Sequence, residues 1–282
     1  MKLNKSIFIA VFALPMLLLA QEQKDSIVPN KVKLERAAFE SGSLIDNQTN
    51  VLYTKGTLEM VMNHRFGLVN GTNDMIGIWA PANIRIAFNY AISDRIAIGY
   101  GTTKDSRLQD VSLKGAILRQ TRGGEMPISV TYYGNASADA RPTSTFTHSS
   151  DRYSFFNQLI IAKRFNRNFS LQISPSFSHF NYVENPIKND MFAVAIGGRV
   201  KISDTAAILL DYSQPISKFD SNSTPKPGVG LGIEFSTGSH AFQLFITNSR
   251  GIVQQQNTMF NQNEFFNGEF AIGFNITRLW HM

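Results

Sequence analysis

Twelve short segments of this chain alternate apolar residues with small or polar ones, and that two-residue period restricts the fold more than any other feature. The clearest case is the run 266–280: Phe266, Phe270, Ile272, Phe274 and Ile276 share one parity, while Asn267, Glu269, Ala271, Gly273, Asn275 and Thr277 share the other. Successive side chains of a strand point to opposite faces, so one face of each segment wants hydrocarbon and the other accepts water. A soluble sandwich would coat its wet face with Lys and Glu, whereas here that face is chiefly Ser, Asn, Gln, Ala and Gly. Only 17% of residues are charged, against roughly a quarter in ordinary soluble domains, while Phe alone numbers 22. The expected fold class is all-β: a transmembrane, antiparallel, up-and-down β-barrel of about 12 strands, preceded by an N-terminal signal peptide.

The leader is read from Lys2 and Lys5, the apolar run 7–19, and Ala20 before the polar Gln21-Glu22-Gln23. The expected organisation is therefore a signal peptide over 1–20, a periplasmic or plug segment over 21–56, and an outer-membrane barrel over 57–282. Beyond the leader no apolar run approaches the roughly 20 residues a membrane helix needs. The chain has no cysteine, which excludes a disulfide framework, a thiolate metal site and a cysteine nucleophile. Net charge is +6, or +4 once Lys2 and Lys5 leave with the leader, and the basic residues are scattered. Nucleic acid is not an expected partner, because no basic cluster with interleaved aromatics exists.

Spanning strands are expected at 57–68, 83–92, 95–103, 110–120, 127–138 and 153–165, and again at 169–181, 190–202, 206–214, 228–236, 240–248 and 266–277. Connections on one side are mostly tight and rich in Asp, Asn, Gly and Ser, whereas those on the other are longer. Outer-membrane barrels sort their loops this way, with short turns and both termini in the periplasm. Three positions strain the pattern. Pro175 lacks a donor inside a strand, which argues for a bulge. In 153–165, Phe156 and Ile160 compete with Phe155, Leu159 and Ile161 for the lipid side. His64 shares the lipid parity of Met60, Met62 and Phe66 and is expected near the headgroups. Arg119, Lys163, Arg278 and Trp280 are expected at the periplasmic interface. The stretch 21–56 has no comparable alternation, and its apolar-punctuated part, 37–53, is expected at or in the periplasmic mouth.

The pieces Phe39-Glu40-Ser41-Gly42-Ser43-Leu44-Ile45-Asp46, His64-Arg65-Phe66-Gly67 and Asp94-Arg95-Ile96-Ala97-Ile98-Gly99-Tyr100-Gly101 resemble an uncharacterised family of bacterial outer-membrane β-barrel proteins, catalogued as a domain of unknown function. The resemblance covers most of the mature chain and implies a fold and a membrane, not an activity.

With the apolar parity facing lipid, the lumen-lining candidates are Glu59, Arg65, Arg85, Lys114, Arg164, Arg199, Lys201, Asp211, Glu234 and Glu269, with Arg164 depending on the register of 153–165. Such a mixed set suits a polar permeation path in which cations lower the barrier for anions. It equally suits a salt-bridge network that braces a narrow, non-conducting barrel. The leading expectation is a pore or transporter for small polar solutes; the rival is a non-conducting structural or assembly component of an outer-membrane protein complex. Expected partners are outer-membrane lipid, a small polar solute in the first reading and an outer-membrane protein in the second. No cofactor or metal site is expected, since His64, His179 and His240 lie on different strands among apolar neighbours. No catalytic residue is assigned: His148 and Ser150 form the nearest approach to a nucleophile and base, and hydroxyl-rich loops produce such pairs by chance. The amide-rich run Gln254-Gln255-Gln256-Asn257 would suit sugars or a partner protein, or form a plain solvated loop.

Overall fold

The computed structural model describes residues 33–69, 74–219 and 223–282, so the leader 1–20 lies outside the described residues. Twelve antiparallel strands close into a barrel, each paired with its sequence neighbours, and the first strand of the wall pairs with the last. A two-stranded hairpin, β1 (Ser43–Leu44) and β2 (Asn47–Gln48), precedes the wall. The wall runs β3 (Thr57–Leu68), β4 (Asn83–Ser93), β5 (Ile96–Thr103), β6 (Leu108–Leu118), β7 (Ser129–Asp139) and β8 (Tyr153–Arg164). It continues with β9 (Phe169–Phe180), β10 (Asp190–Lys201), β11 (Ala206–Pro215), β12 (Gly228–Ser236), β13 (His240–Thr247) and β14 (Ala271–His281). A short helix, α1 (Gln254–Phe260), sits in the last long connection.

Closure pairs the backbone amides of every strand on both sides, the condition for a sheet to stand in hydrocarbon. Parity then sorts the side chains. On β4, Ile86, Phe88, Tyr90 and Ile92 are exposed on the outside, while Asn83, Ala87 and Ala91 are buried inside. On β8 the competition resolves with Leu159 outward and Phe156 and Ile160 fully buried inward, which also turns Arg164 toward the lumen. His64 keeps the outer parity and stacks on Phe274 with ring centroids 4.8 Å apart.

Two expectations about the strands are corrected. Pro175 makes no bulge: the β8–β9 register is the same on both sides of it, Gln158 facing Ser176 and Ile161 facing Ile173, and the ladder merely opens between them where the donor is missing. Register shifts fall elsewhere, at Ala91/Ser93, Ala116/Leu118 and Ala271/Gly273. The last strand also starts at Ala271 rather than Phe266, because Phe265–Asn267 forms a 3-10 turn closed by Gly268 in the left-handed region at φ 86. A run of alternating residues is not sufficient for a strand when a glycine of that geometry turns the chain out of the sheet.

Residues 37–53 lie inside the barrel. Ala38, Phe39, Leu44, Ile45 and Val51 pack against the inward Tyr133, Phe156, Ile160, Leu209 and Phe245. This explains why a lumen expected to be polar carries an apolar patch: the patch meets the chain's own inner segment rather than water. The segment enters at the short-turn end, where the Leu34 to Thr121 bridge and the Glu35 amide donating to the Gln120 carbonyl at 2.8 Å tie it to the β6–β7 connection.

Candidate functional site

The tip of the β1–β2 hairpin, Ile45-Asp46, is gripped by side chains from around the wall. Ile45 adopts φ 48, a left-handed value that a β-branched residue tolerates only when its surroundings hold it there. The Arg65 guanidinium on β3 donates to the Ile45 carbonyl at 3.0 Å and to Asp46 Oδ1 at 2.9 Å. From β13, Thr247 Oγ1 donates to Asp46 Oδ2 at 2.6 Å, and from β14, Asn275 Nδ2 donates to the Ile45 carbonyl at 2.9 Å. On β11, Asp211 Oδ2 accepts the backbone amides of Asp46 and Asn47 at 2.8 and 2.9 Å, and its Oδ1 accepts Asn47 Nδ2 at 2.7 Å. An acceptor-only carboxylate facing three N–H groups is chemically matched to a tight turn.

Two further clusters anchor the arms of the hairpin. Glu234 on β12 accepts the Ser41 hydroxyl at 2.9 Å, Gln243 Nε2 at 3.1 Å and Arg199 Nε at 2.9 Å. Lys114 Nζ on β6 donates to the Gly42 carbonyl at 2.8 Å. Tyr53 donates its phenol to Glu59 Oε1 at 3.0 Å, while Asn89 Nδ2 holds the other carboxylate oxygen at 2.8 Å. Burial, and then the Glu59 carboxylate, push the Tyr53 phenol well above its ordinary value of 10.0. The fit is also steric: a Cβ at Gly197 would lie 2.5 Å from Leu44 Cδ2, and one at Gly230 would lie 2.9 Å from Ile45 Cγ2. These inward glycines leave room for the two apolar residues of the hairpin.

From the long-loop end, α1 enters the lumen and meets the tip. Gln254 Nε2 donates to the Asp46 carbonyl at 3.1 Å, and Gln255 Nε2 donates to Asn135 Oδ1 and Ser137 Oγ, both at 2.9 Å. Thr258 bonds Ser178 on β9 at 2.7 Å, and Met259 packs on Met191 and Phe219. The amide-rich run is therefore an inward-facing stopper in its first half, not the solvated loop that its composition suggested. Beside the hairpin, the space left for the centres of water molecules is about 40 Å³, lined among others by Glu59, Asn63, Arg85, Lys114 and Gln254.

Of the ten lumen candidates, Glu59, Arg65, Arg85, Lys114, Arg199, Asp211 and Glu234 stand on inward positions of the wall and carry the contacts above. Arg85 is the exception in partner: it forms a two-pronged pair with Asp110, Nε to Oδ1 at 2.9 Å, and does not touch the inner segment through a hydrogen bond. Arg164 and Lys201 lie at the short-turn rim, Arg164 bonding the Ala37 carbonyl at 3.3 Å and Lys201 pairing with Asp204 at 3.0 Å. Glu269 departs from expectation. It is exposed in the last connection before β14 and accepts the Glu264 amide at 2.6 Å, because the 3-10 turn removes it from the wall. The charge-based reading missed Asp46, Asp110, Asn135, Gln243, Thr247, Asn275, Gln254 and Gln255. Six of the eight are neutral, and only their inward parity, or the absence of any, could have marked them.

His148 and Ser150 are exposed in the β7–β8 connection, where the His148 amide donates to Asp151 Oδ2 at 2.7 Å. Among the described residues no group of three or more His, Asp or Glu side chains is placed to hold a metal ion.

An apolar outer wall, a closed antiparallel ladder and a polar interior define the class: a β-barrel that crosses a membrane with its strands. The chain belongs to the family described as membrane bound beta barrel domain (DUF5777), which matches residues 39–280. That match spans the inner segment from Phe39 onward together with the wall. No curated protein matches. Among solved structures, the NanC porin aligns over 80% of this chain and 99% of its own, at 8% identity and a TM-score of 0.51. Outer membrane phospholipase A from Escherichia coli aligns over 93% of this chain and 96% of its own at 11% identity, with a TM-score of 0.42. The likeness to the NanC porin concerns the fold alone.

Proposed function

We propose that the protein is a barrel of the Gram-negative outer membrane, with its termini and short turns in the periplasm and its long loops outside, and that its resting lumen is closed to small polar solutes. Export by a leader at 1–20 belongs to the same reading. One observation carries it: residues 37–53 cross the lumen while bonded to β3, β6, β11, β13 and β14, and α1 meets them at Asp46 from the other end. The cavity beside the hairpin, about 40 Å³, admits a few isolated waters, since one water needs about 10 to 15 Å³ on this measure. A sealed interior braced by paired charges suits a non-conducting component of an outer-membrane assembly, with another outer-membrane protein as its partner.

A pore for small polar solutes is supported only for a state in which 37–53 and α1 have both withdrawn. Arg65, Lys114, Arg199, Asp211 and Glu234 would then face open water as a mixed-charge path. Planar-bilayer recording separates the readings. The full mature chain is expected to give no conductance steps, and a chain lacking both 37–53 and α1 is expected to conduct. Steps from the full chain would overturn closure, and silence from both would remove the latent pore.

A further inference from the structure

Outside the lumen, the wall carries a recess of about 350 Å³ at the long-loop end of β4, β5 and β6. Its floor is outward-facing: Ile86 pairs with Thr102, and Thr102 with Gln109, so these side chains stand side by side on the apolar face. Ile84 continues the strip toward the rim, where the Lys104 amide donates to its carbonyl at 2.9 Å. Two cations close the end of this strip. Lys104 and Arg107 are both exposed, and among the described residues neither has a carboxylate within ion-pair distance.

The turn that carries them is held in an uncommon shape. Ser106 and Arg107 have φ 55 and 48, values that residues with side chains rarely adopt. Gln109 fastens this turn to β5, its Nε2 donating to the Arg107 carbonyl at 3.2 Å and to Thr102 Oγ1 at 2.9 Å. Tyr100 fixes Gln109 in turn, donating its phenol to Oε1 at 2.5 Å. An apolar strip continuous with the lipid-covered wall ends in Arg107 and in Lys104, whose Nζ donates one hydrogen bond to the Ala82 carbonyl at 2.6 Å and keeps two protons for an anion, which matches an amphiphile with acyl chains below and a phosphate above. A soluble anion would have no use for Ile84 and Ile86.

We propose that this recess binds an anionic, phosphorylated, acylated lipid of the outer leaflet, its chains along Ile84 and Ile86 and a phosphate between Lys104 and Arg107. The leaflet rests on the orientation proposed above; the binding chemistry does not. Native mass spectrometry of the full mature chain in neutral detergent, titrated with bisphosphorylated lipid A, tests the site without reference to orientation. Lys104→Ala/Arg107→Ala is expected to weaken binding at least tenfold, while Lys188→Ala, exposed at the same end, leaves it unchanged. Zwitterionic phosphatidylethanolamine should bind at least tenfold more weakly than lipid A, and millimolar inorganic phosphate should not displace the lipid. Equal binding by the double variant, equal binding of phosphatidylethanolamine, or displacement by phosphate would each overturn the proposal. Lys104→Gln/Arg107→Gln serves as a second variant, with heat-modifiable gel mobility reporting an intact barrel. Maleimide labelling of Ser106→Cys from outside intact cells checks orientation separately.

Discussion

Replacing Asp46 by alanine should free the inner segment while leaving the wall standing. The carboxylate neutralises Arg65, a side chain 1% exposed, and receives Thr247. Removing one partner of a buried ion pair costs about 3 to 5 kcal/mol because the other charge stays buried. The lower end applies here. Arg65 keeps the His64 and Ile45 carbonyls and Asn275 Oδ1 as acceptors, and the loss of the Asp46 charge relieves its repulsion of Asp211. At about 1.4 kcal/mol per factor of ten, 3 kcal/mol shifts the docked-to-undocked ratio roughly 150-fold. The chain has no cysteine, so Val51→Cys, at a buried position of the segment, gives a single reporter. If labelling by a membrane-impermeant maleimide proceeds through transient undocking, its rate follows the open fraction. Adding Asp46→Ala should then accelerate it about 100-fold, and Asp46→Asn less, since one acceptor oxygen for Thr247 survives. A rate unchanged within about threefold, with heat-modifiable mobility intact, would refute the argument that Asp46 pins the segment.

Other perturbations probe different parts of the seal. Gly197→Leu should collide with Leu44 and Gln172, raising Val51→Cys labelling at least tenfold; unaltered labelling would show that the segment has slack there. Tyr53 titrates above its free value of 10.0, so its contribution to docking is complete below pH about 10 and is lost as pH rises through the higher docked value. A spin label at Val51→Cys should therefore loosen above that pH, and Tyr53→Phe should flatten the change. In a chain lacking both 37–53 and α1, Arg199→Ala should move the reversal potential toward cation selectivity, because Glu234 would be left without its cation; in the full chain, the same substitution should leave the bilayer silent. Phe156→Ala should remove a core contact of the segment, a class of change worth about 3 to 5 kcal/mol, and accelerate labelling of the same reporter.

The wall was legible in the sequence because its solvent is uniform. Every outward position of β4 or β10 meets the same hydrocarbon, so local alternation suffices to identify face and strand. The interior offers no such uniform rule. Phe156 and Ile160 look misplaced until Phe39, Leu44 and Val51 are brought beside them from more than a hundred residues away. Asp211 looked like a pore-lining charge, yet its acceptors are spent on the amides of Asp46 and Asn47. Gln254 and Gln255 carry no charge and no strand parity, so nothing local distinguished a stopper from a solvated loop. The start of β14 was misjudged for the opposite reason: alternation continued through Phe266 and Glu269 while Gly268 had already taken the chain out of the wall.

The pairing of β14 with β3 sets a condition on assembly. That seam joins the two ends of the wall in sequence, and the Met282 amide donates to the Gly56 carbonyl at 2.9 Å, at the root from which the inner segment departs. The hairpin is thus synthesised before the wall that encloses it, and its stem is fastened by the strand made last. The cylinder must zip around a cargo already positioned, or admit that cargo afterwards through the turn-side opening beside Leu34. Ordering the two events by time-resolved crosslinking would show whether the filling templates its own container.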